Sequence, residues 1–228
     1  MRTSAKIFDQ VIILGAGRGT RMGEMGLKTP KPLLPSISDC LLKRQIRYFS
    51  NFTDSISVTV GYRADDVGKA ALNFGADRII DVGVDQGNAV FLQHETIRSI
   101  GGNFIVVTCD NLMKFSVSDL NILVEEASQT NVIVAIPDAI GKLGDRLQVA
   151  PGGSDILGIS SKYHDGDLAT GLQIINSETL AGLPLGITDF HEFWDYQIEK
   201  SRLKVSKIRP ATWSSIDTPA ELETFFTN

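Results

Sequence analysis

The sequence is short of cysteine, of long apolar runs and of positive charge, and each shortage rules something out. Cys40 and Cys109 are its only cysteines in 228 residues. Neither belongs to a metal-ligand spacing, so cysteine-based metal chemistry is excluded; the pair reads as buried thiols of a reducing cytosol, one in a core helix and one in a core strand. The longest apolar runs are strand-sized, so none spans a membrane. Val11–Leu14 is too short for a secretory leader and runs straight into glycines, which leaves a cytoplasmic location as the expectation. The net charge of -5 and pI near 5.2 give no long-range attraction to nucleic acid or to an anionic membrane. Any phosphate must therefore be held by local cations and backbone N–H groups. What remains is 43% hydrophobic residues, enough to bury a core, in a chain long enough for one sizeable α/β domain.

Four β-branched runs punctuate the first part of the chain: Val11–Leu14, Ser57–Val60, Phe104–Thr108 and Asn131–Ile136. Continuous runs of this kind, bounded by Gly or Asp, predict strands buried on both faces. Helix-like stretches lie between them, at Cys40–Ser50, Ala64–Phe74 and Val117–Ser128. The alternation argues an α/β fold with a mostly parallel sheet and crossover helices, in which ligands bind at the C-terminal strand ends. After Pro137 the texture changes. Pro151–Gly153 and His164–Asp167 read as turns of short antiparallel strands, Gly171–Ile175 as a strand, and Asp189–Ser201 and Pro219–Phe226 as helices. Thr218, Pro219 and Glu221 form a capping-box pattern at the last of these. With no repeat or linker, the expected organisation is a single domain over 1–228. A nucleotide-binding part covers about 1–136 and an acceptor-covering part about 137–228.

The most informative string is Leu14-Gly15-Ala16-Gly17-Arg18-Gly19-Thr20-Arg21-Met22, followed by Lys28-Thr29-Pro30-Lys31-Pro32-Leu33. A dinucleotide fingerprint needs its third glycine one residue later, and a P-loop needs a Gly-Lys-Ser/Thr ending; neither is met. A loop that wraps a nucleoside triphosphate with backbone N–H groups fits better, because glycines let the main chain approach phosphate oxygens. Arg21 can grip a phosphate bidentately. Lys31, confined between two prolines, can neutralise charge growing at the α-phosphate. A plain strand-to-loop turn is the alternative for the glycines alone.

This pattern resembles the nucleotidyltransferase superfamily that makes activated sugars and small alcohols, whose members open with a strand, G-x-G-T-R-M/L and a P-K-P/A-L segment. The resemblance implies a Rossmann-like three-layer α/β/α fold with a mostly parallel mixed central sheet, of nucleotide-diphospho-sugar transferase type. It implies that Leu14, Gly15, Ala16, Gly17, Gly19 and Thr20 hold the nucleotide while Arg21 and Lys31 serve catalysis at its phosphates. Gly23-Glu24-Met25-Gly26 departs from the family pattern and reads as a loop.

Phosphoryl transfer gives two acids a role. Mg²⁺ takes a few carboxylates together with phosphate oxygens and water, and steadies the departing pyrophosphate. Asp110 closes the run Phe104–Thr108, where a carboxylate is either a helix cap or a ligand. Asp217 stands in Ile216-Asp217-Thr218-Pro219-Ala220-Glu221-Leu222, similar to the family's second metal ligand; a simple turn residue is the alternative. This string leans toward cytidylyltransferase-like branches, since sugar-nucleotide pyrophosphorylases tend to carry the acid where Ser215 stands.

Gly61 and Tyr62 end a strand on the nucleotide side. Asp85–Ala89 is expected to open a helix, where Gln86 and Asn88 supply amide hydrogen bonds to a pyrimidine edge or cap that helix. Phe193-Trp194-Asp195-Tyr196 is similar to a string in bacterial CTP:phosphocholine cytidylyltransferases. Trp194, Asp195 and Tyr196 would then hold a quaternary ammonium; a helix packed into the core is the alternative. The expected activity is Mg-dependent transfer of NMP, CMP from CTP first, to a small phosphorylated acceptor with release of pyrophosphate. A sugar-1-phosphate uridylyl- or thymidylyltransferase and a non-catalytic nucleotide-binding module stand as alternatives.

Overall fold

The computed structural model of the protein describes residues 6–35, 39–137 and 142–227, with residues 226 and 227 as backbone only. The chain runs β1 (Gln10–Leu14), α1 (Glu24–Lys28), α2 (Leu41–Phe49), β2 (Ile56–Val60), α3 (Ala64–Phe74), β3 (Arg78–Asp81), α4 (Glu95–Arg98), β4 (Asn103–Thr108), β5 (Asn111–Lys114), α5 (Val117–Glu126), β6 (Asn131–Ile136), β7 (Arg146–Val149), β8 (Ile156–Ser160), β9 (Asp167–Asn176), α6 (Phe190–Glu199), β10 (Leu203–Val205), β11 (Thr212–Ser215) and α7 (Pro219–Thr227).

Among the described residues, nine strands form one sheet with the order β10-β6-β9-β4-β1-β2-β3; β7 attaches at β9, and β8 pairs with β7. Pairing along that order is parallel except at β9, which is antiparallel to both β4 and β6. The mostly parallel, mixed α/β sheet expected from the sequence is the one observed. Its central strands are mostly apolar because helices cover both faces. Val11, Ile13, Val58, Ile105 and Val107 pack with Leu42, Ile46, Val67 and Leu120 of α2, α3 and α5. Ile12, Phe104, Val106 and Ile133 face Phe190, Phe193 and Trp194 of α6. Each such fully buried side chain contributes about 1.5–3 kcal/mol relative to exposure, so these two layers hold the strand ends in fixed positions.

A separate ribbon of β5 and β11 pairs Asn111 with Ser215, and Ile216 N donates to Asp110 O at 3.1 Å. That ribbon delivers Asp217 to the end of β4. Beyond it the expected capping box forms at α7: Glu221 N donates to Thr218 Oγ1 at 3.3 Å and Thr218 N donates to Glu221 Oε2 at 3.0 Å.

Three local expectations need correction. Asp85–Ala89 opens no α-helix: Asp85 and Gly87 have φ of 59° and 90°, which a right-handed helix does not accept, and only a 3-10 turn follows at Val90–Gln93. Cys40 is not inside a helix but at the N-cap position of α2, half-buried, whereas Cys109 lies just past β4 and is buried. The stretch from Gly23 to Gly26 is not an open loop, since Glu24 begins α1.

Candidate active site

A cavity of about 570 Å³ opens where β1, β2 and β4 end, the crevice that parallel α/β sheets offer to ligands. Leu14, Gly15, Ala16, Gly17, Gly19 and Arg21 line it. The loop is anchored at its start by Gly15 N, which donates to Thr59 O at 3.1 Å. At its far end Gly19 sits in the left-handed region with φ 61°. A Cβ there would lie 2.8 Å from Lys31 Cβ, so only glycine lets the loop close onto the lysine. Thr20 heads a 3-10 turn and is not among the lining residues. Gly61 and Tyr62 also lie outside the lining. They buttress the loop from behind, with Tyr62 N donating to Ala16 O at 2.9 Å.

Lys31 is 7% exposed and begins a second 3-10 turn after Pro30. Its ammonium donates to Asp110 Oδ2 and, at 2.8 Å, to Asp217 Oδ1. Because one nitrogen reaches both carboxylates, their nearest oxygens lie within about 6 Å of each other, twice a hydrogen-bond length. An Arg21 terminal nitrogen lies 2.8 Å from the same Asp217 oxygen. The remaining oxygens are oriented by neighbours: Ser215 Oγ donates to Asp217 Oδ2 at 2.7 Å and Asn111 Nδ2 to Asp110 Oδ1 at 3.2 Å. Burial by itself would lower the Lys31 pKa, but Asp110 and Asp217 outweigh it and the net shift is upward. Burial would raise the Asp217 pKa, but Lys31, Ser215 and Arg21 outweigh it and hold the carboxyl below the usual range. The two carboxylates thus favour the charged form of the lysine.

Among the described residues no cluster of three or more His, Cys, Asp or Glu makes a ready-built metal site. Two carboxylates that share one cation beside a phosphate-sized loop still fit magnesium, which takes one or two protein carboxylates and fills its shell with phosphate oxygens and water.

Gln86 and Asn88 both line the cavity. Asn88 Oδ1 accepts from Phe190 N at 2.9 Å, so this side chain caps α6, a helix far along the chain, instead of one of its own. Of the aromatic string, only Trp194 lines the cavity. Asp195 is exposed, and the Tyr196 hydroxyl donates to Gly182 O at 3.0 Å. Consecutive helical residues point about 100° apart, so the three cannot share one face. The reading of Asp195 and Tyr196 as acceptor ligands is corrected accordingly.

Several lining residues escape motif reading. Asp85 is one, and Arg18, outside the lining, pairs with it. Asp145 is another, with His191 Nε2 2.9 Å from its Oδ1. Gln173, on β9, lines the floor; a lone amide in the apolar run Leu172–Ile175 was the signal that could have found it.

The model of the MobA-like NTP transferase domain matches residues 11–157, which span the glycine loop, Lys31 and Asp110. No curated protein sequence matches the chain. Among solved structures, the inositol-1-phosphate CTP transferase from T. maritima superposes with a TM-score of 0.78 at 19% identity, over 97% of this chain and 95% of that one. HddC from Yersinia pseudotuberculosis complexed with GMP-PN does so with a TM-score of 0.78 at 17% identity, over 96% and 98%. A UDP-glucose pyrophosphorylase complexed with UDP-glucose gives 0.74 at 14% identity, over 96% and 97%. At such identities these likenesses establish the shared fold. The domain match, covering more than half of the sequence and its glycine loop, establishes the lineage: the chain belongs to the MobA-like NTP transferase family of nucleotidyltransferases.

Proposed function

We propose that the chain is a Mg-dependent transferase that moves a nucleoside monophosphate, CMP from CTP first, to a small phosphorylated acceptor and releases pyrophosphate. The observation that carries this reading is the Lys31 ammonium held between Asp110 and Asp217 beside the glycine loop. The Leu14–Gly19 backbone would cradle the triphosphate, with Thr20, Gly61 and Tyr62 supporting it. Arg21 would hold the departing pyrophosphate. Lys31 would face the α-phosphate and neutralise the charge that builds there. Asp110 and Asp217 would hold a magnesium ion, which supplies charge neutralisation to the triphosphate oxygens. An ionised acceptor phosphate is already a nucleophile at neutral pH, so no side chain needs to remove a proton, and positioning carries the rate.

Gln86 and Asn88 line the cavity and would meet the base with amide groups of the kind a cytosine edge pairs with. The CTP preference also draws on the T. maritima neighbour, an inositol-1-phosphate CTP transferase. Residues 1–136 would serve the nucleotide and 137–228 the acceptor, within one domain. No helix among the described residues is long and apolar enough to cross a membrane, and we take the cytoplasm as the working location. Four NTPs assayed against phosphorylated sugars, alcohols and amines, read by pyrophosphate release, test the activity. CTP is expected to give the highest kcat/KM, and silence from every pair would end this reading.

A further inference from the structure

The cavity lining mixes two chemistries. Arg21 and Lys31 are the arginine and lysine among the described lining residues, and both contact Asp217; Trp194, Gln173 and Asp145 line the same cavity without a cation contact of that kind. Gln173 is 6% exposed and sits on β9 between Val106 of β4 and Ile133 of β6. Its Oε1 accepts from the Trp194 indole Nε1 at 3.0 Å. An indole nitrogen can only donate, so this contact fixes which end of the amide is oxygen and turns the Nε2 hydrogens the other way. No described residue accepts from Nε2. Nor is Nε2 sealed: the sealed side-chain atoms without partners, among the described residues, are Asn131 Nδ2 and Gln197 Oε1. The free N–H groups of Gln173 therefore open onto the cavity floor.

A buried donor in this position discriminates between acceptors. A ligand oxygen placed over Nε2 satisfies it, whereas a trimethylammonium group brings no acceptor and leaves the amide desolvated and unpaired. Asp145 adds the complementary group, a carboxylate that accepts from a hydroxyl. Its Oδ1 contacts His191, whose ring lies edge-on to Trp194 with centroids 5.3 Å apart. Trp194 is thereby pinned on two sides, which keeps the amide in one orientation.

We propose that Gln173 reads the acceptor and that Trp194 positions it, so that the enzyme prefers a hydroxyl-bearing phosphate over a phosphorylated quaternary ammonium. This rests on the transfer reading above and narrows its acceptor class. It also displaces the quaternary-ammonium role suggested by the sequence at Trp194, because the indole faces Gln173 with its polar edge instead of offering an open cage.

The test compares wild type, Gln173→Leu and Trp194→Phe with hexose 1-phosphates, an inositol 1-phosphate and phosphocholine. Turnover is read by pyrophosphate release, and binding of each acceptor and of CTP by calorimetry. In wild type the hydroxylated phosphates are expected to bind and react better than phosphocholine. Gln173→Leu should lose roughly 10- to 100-fold in kcat/KM for them while its CTP affinity stays within about twofold. Trp194→Phe keeps the ring but drops the N–H, and should raise the acceptor KM several-fold with kcat little changed. A preference for phosphocholine, no acceptor bound, or equal kinetics in Gln173→Leu would overturn the proposal. Hydroxylated phosphates that bind through Gln173 without turnover would sink the transfer reading and leave the recognition role standing.

Discussion

Arg18 and Asp85 form a two-point clasp: Arg18 Nε lies 2.8 Å from Asp85 Oδ1, and Arg18 Nη2 lies 2.8 Å from Asp85 Oδ2. Arg18 belongs to the glycine loop and Asp85 to the segment after β3, so the clasp ties these two segments together. The guanidinium also lies over the Tyr62 ring, 5.3 Å from its centroid. Arg18 is thus engaged with a carboxylate in the structure, although it stands in the loop proposed to cradle the triphosphate. Asp85→Asn should free it, tighten NTP binding a few-fold and weaken the benefit again in high salt. Calorimetry with CTP across a salt series measures this, and unchanged affinity would assign the clasp to loop shape alone.

The two acids should be indispensable to turnover. Asp110→Ala or Asp217→Ala is expected to lower kcat by at least roughly 10²-fold, the size of effect seen when one transition-state electrostatic group is removed. Each variant leaves Lys31 with its other carboxylate partner, so circular dichroism should report a retained fold. Full pyrophosphate release from either variant with Mg²⁺ would remove the metal assignment.

Lys31 offers a test that does not depend on turnover. Lys31→Met keeps the stem and deletes the charge that two neighbouring carboxylates share. The carboxylates then repel, so the melting temperature should fall and Mg²⁺ should restore more of it than in wild type. Equal Mg²⁺ responses in the two proteins would mean that the acids do not share a cation.

Gly61 should not tolerate a side chain. A Cβ there would collide with the Gly83 carbonyl and lie 3.1 Å from Ala16 O. Gly61→Ala is expected to cost about 1–3 kcal/mol, the range for overpacking, and to raise the NTP KM because Ala16 lies in the cradle. Denaturant melts and KM measured on the same preparation check both parts.

Glu221 gives an acid-side signature. Burial would raise its pKa, but the Asp217 N–H, Lys142 and the Thr218 hydroxyl outweigh it and the net shift is downward. A carboxyl with a depressed folded pKa adds stability above its unfolded value, about 4.3, and loses it as pH falls through the folded value. Wild type should therefore lose stability below about pH 4.3. Glu221→Gln should start less stable at neutral pH and fall less steeply in acid. Parallel stability curves for the two proteins would refute the linkage.

Much of the scaffold was legible because burial on both faces writes an unmistakable pattern. Val11–Leu14, Phe104–Thr108 and Asn131–Ile136 could only be central strands, and the strand ends pointed to the glycine loop and Asp110. β3 was not legible, since Arg78-Ile79-Ile80-Asp81 is a short edge strand whose charges face water. Nor was the β5–β11 ribbon, whose residues alternate weakly and pair across a long stretch of sequence. Asp85–Ala89 misled because its composition suits a helix start, while its left-handed residues are set by contacts with Arg18 and Thr188. At the acceptor end, sequence proximity gathered Trp194, Asp195 and Tyr196 into one group. Helical geometry scattered them, and the amide that pairs with Trp194 in the cavity lining, Gln173, came from β9.

The placement of β9 bears on how the chain reaches its native state. β4 and β6 each pair with β9 and not with each other, so the middle of the sheet stays open while the ribosome is still making residues 137–166. Until β9 emerges, two strongly apolar strands present unpaired edges, the kind that recruit neighbouring chains. A fragment cut at residue 157, where the domain match ends, would keep Lys31 and Asp110 yet expose those edges permanently, and such a fragment should accumulate as aggregate.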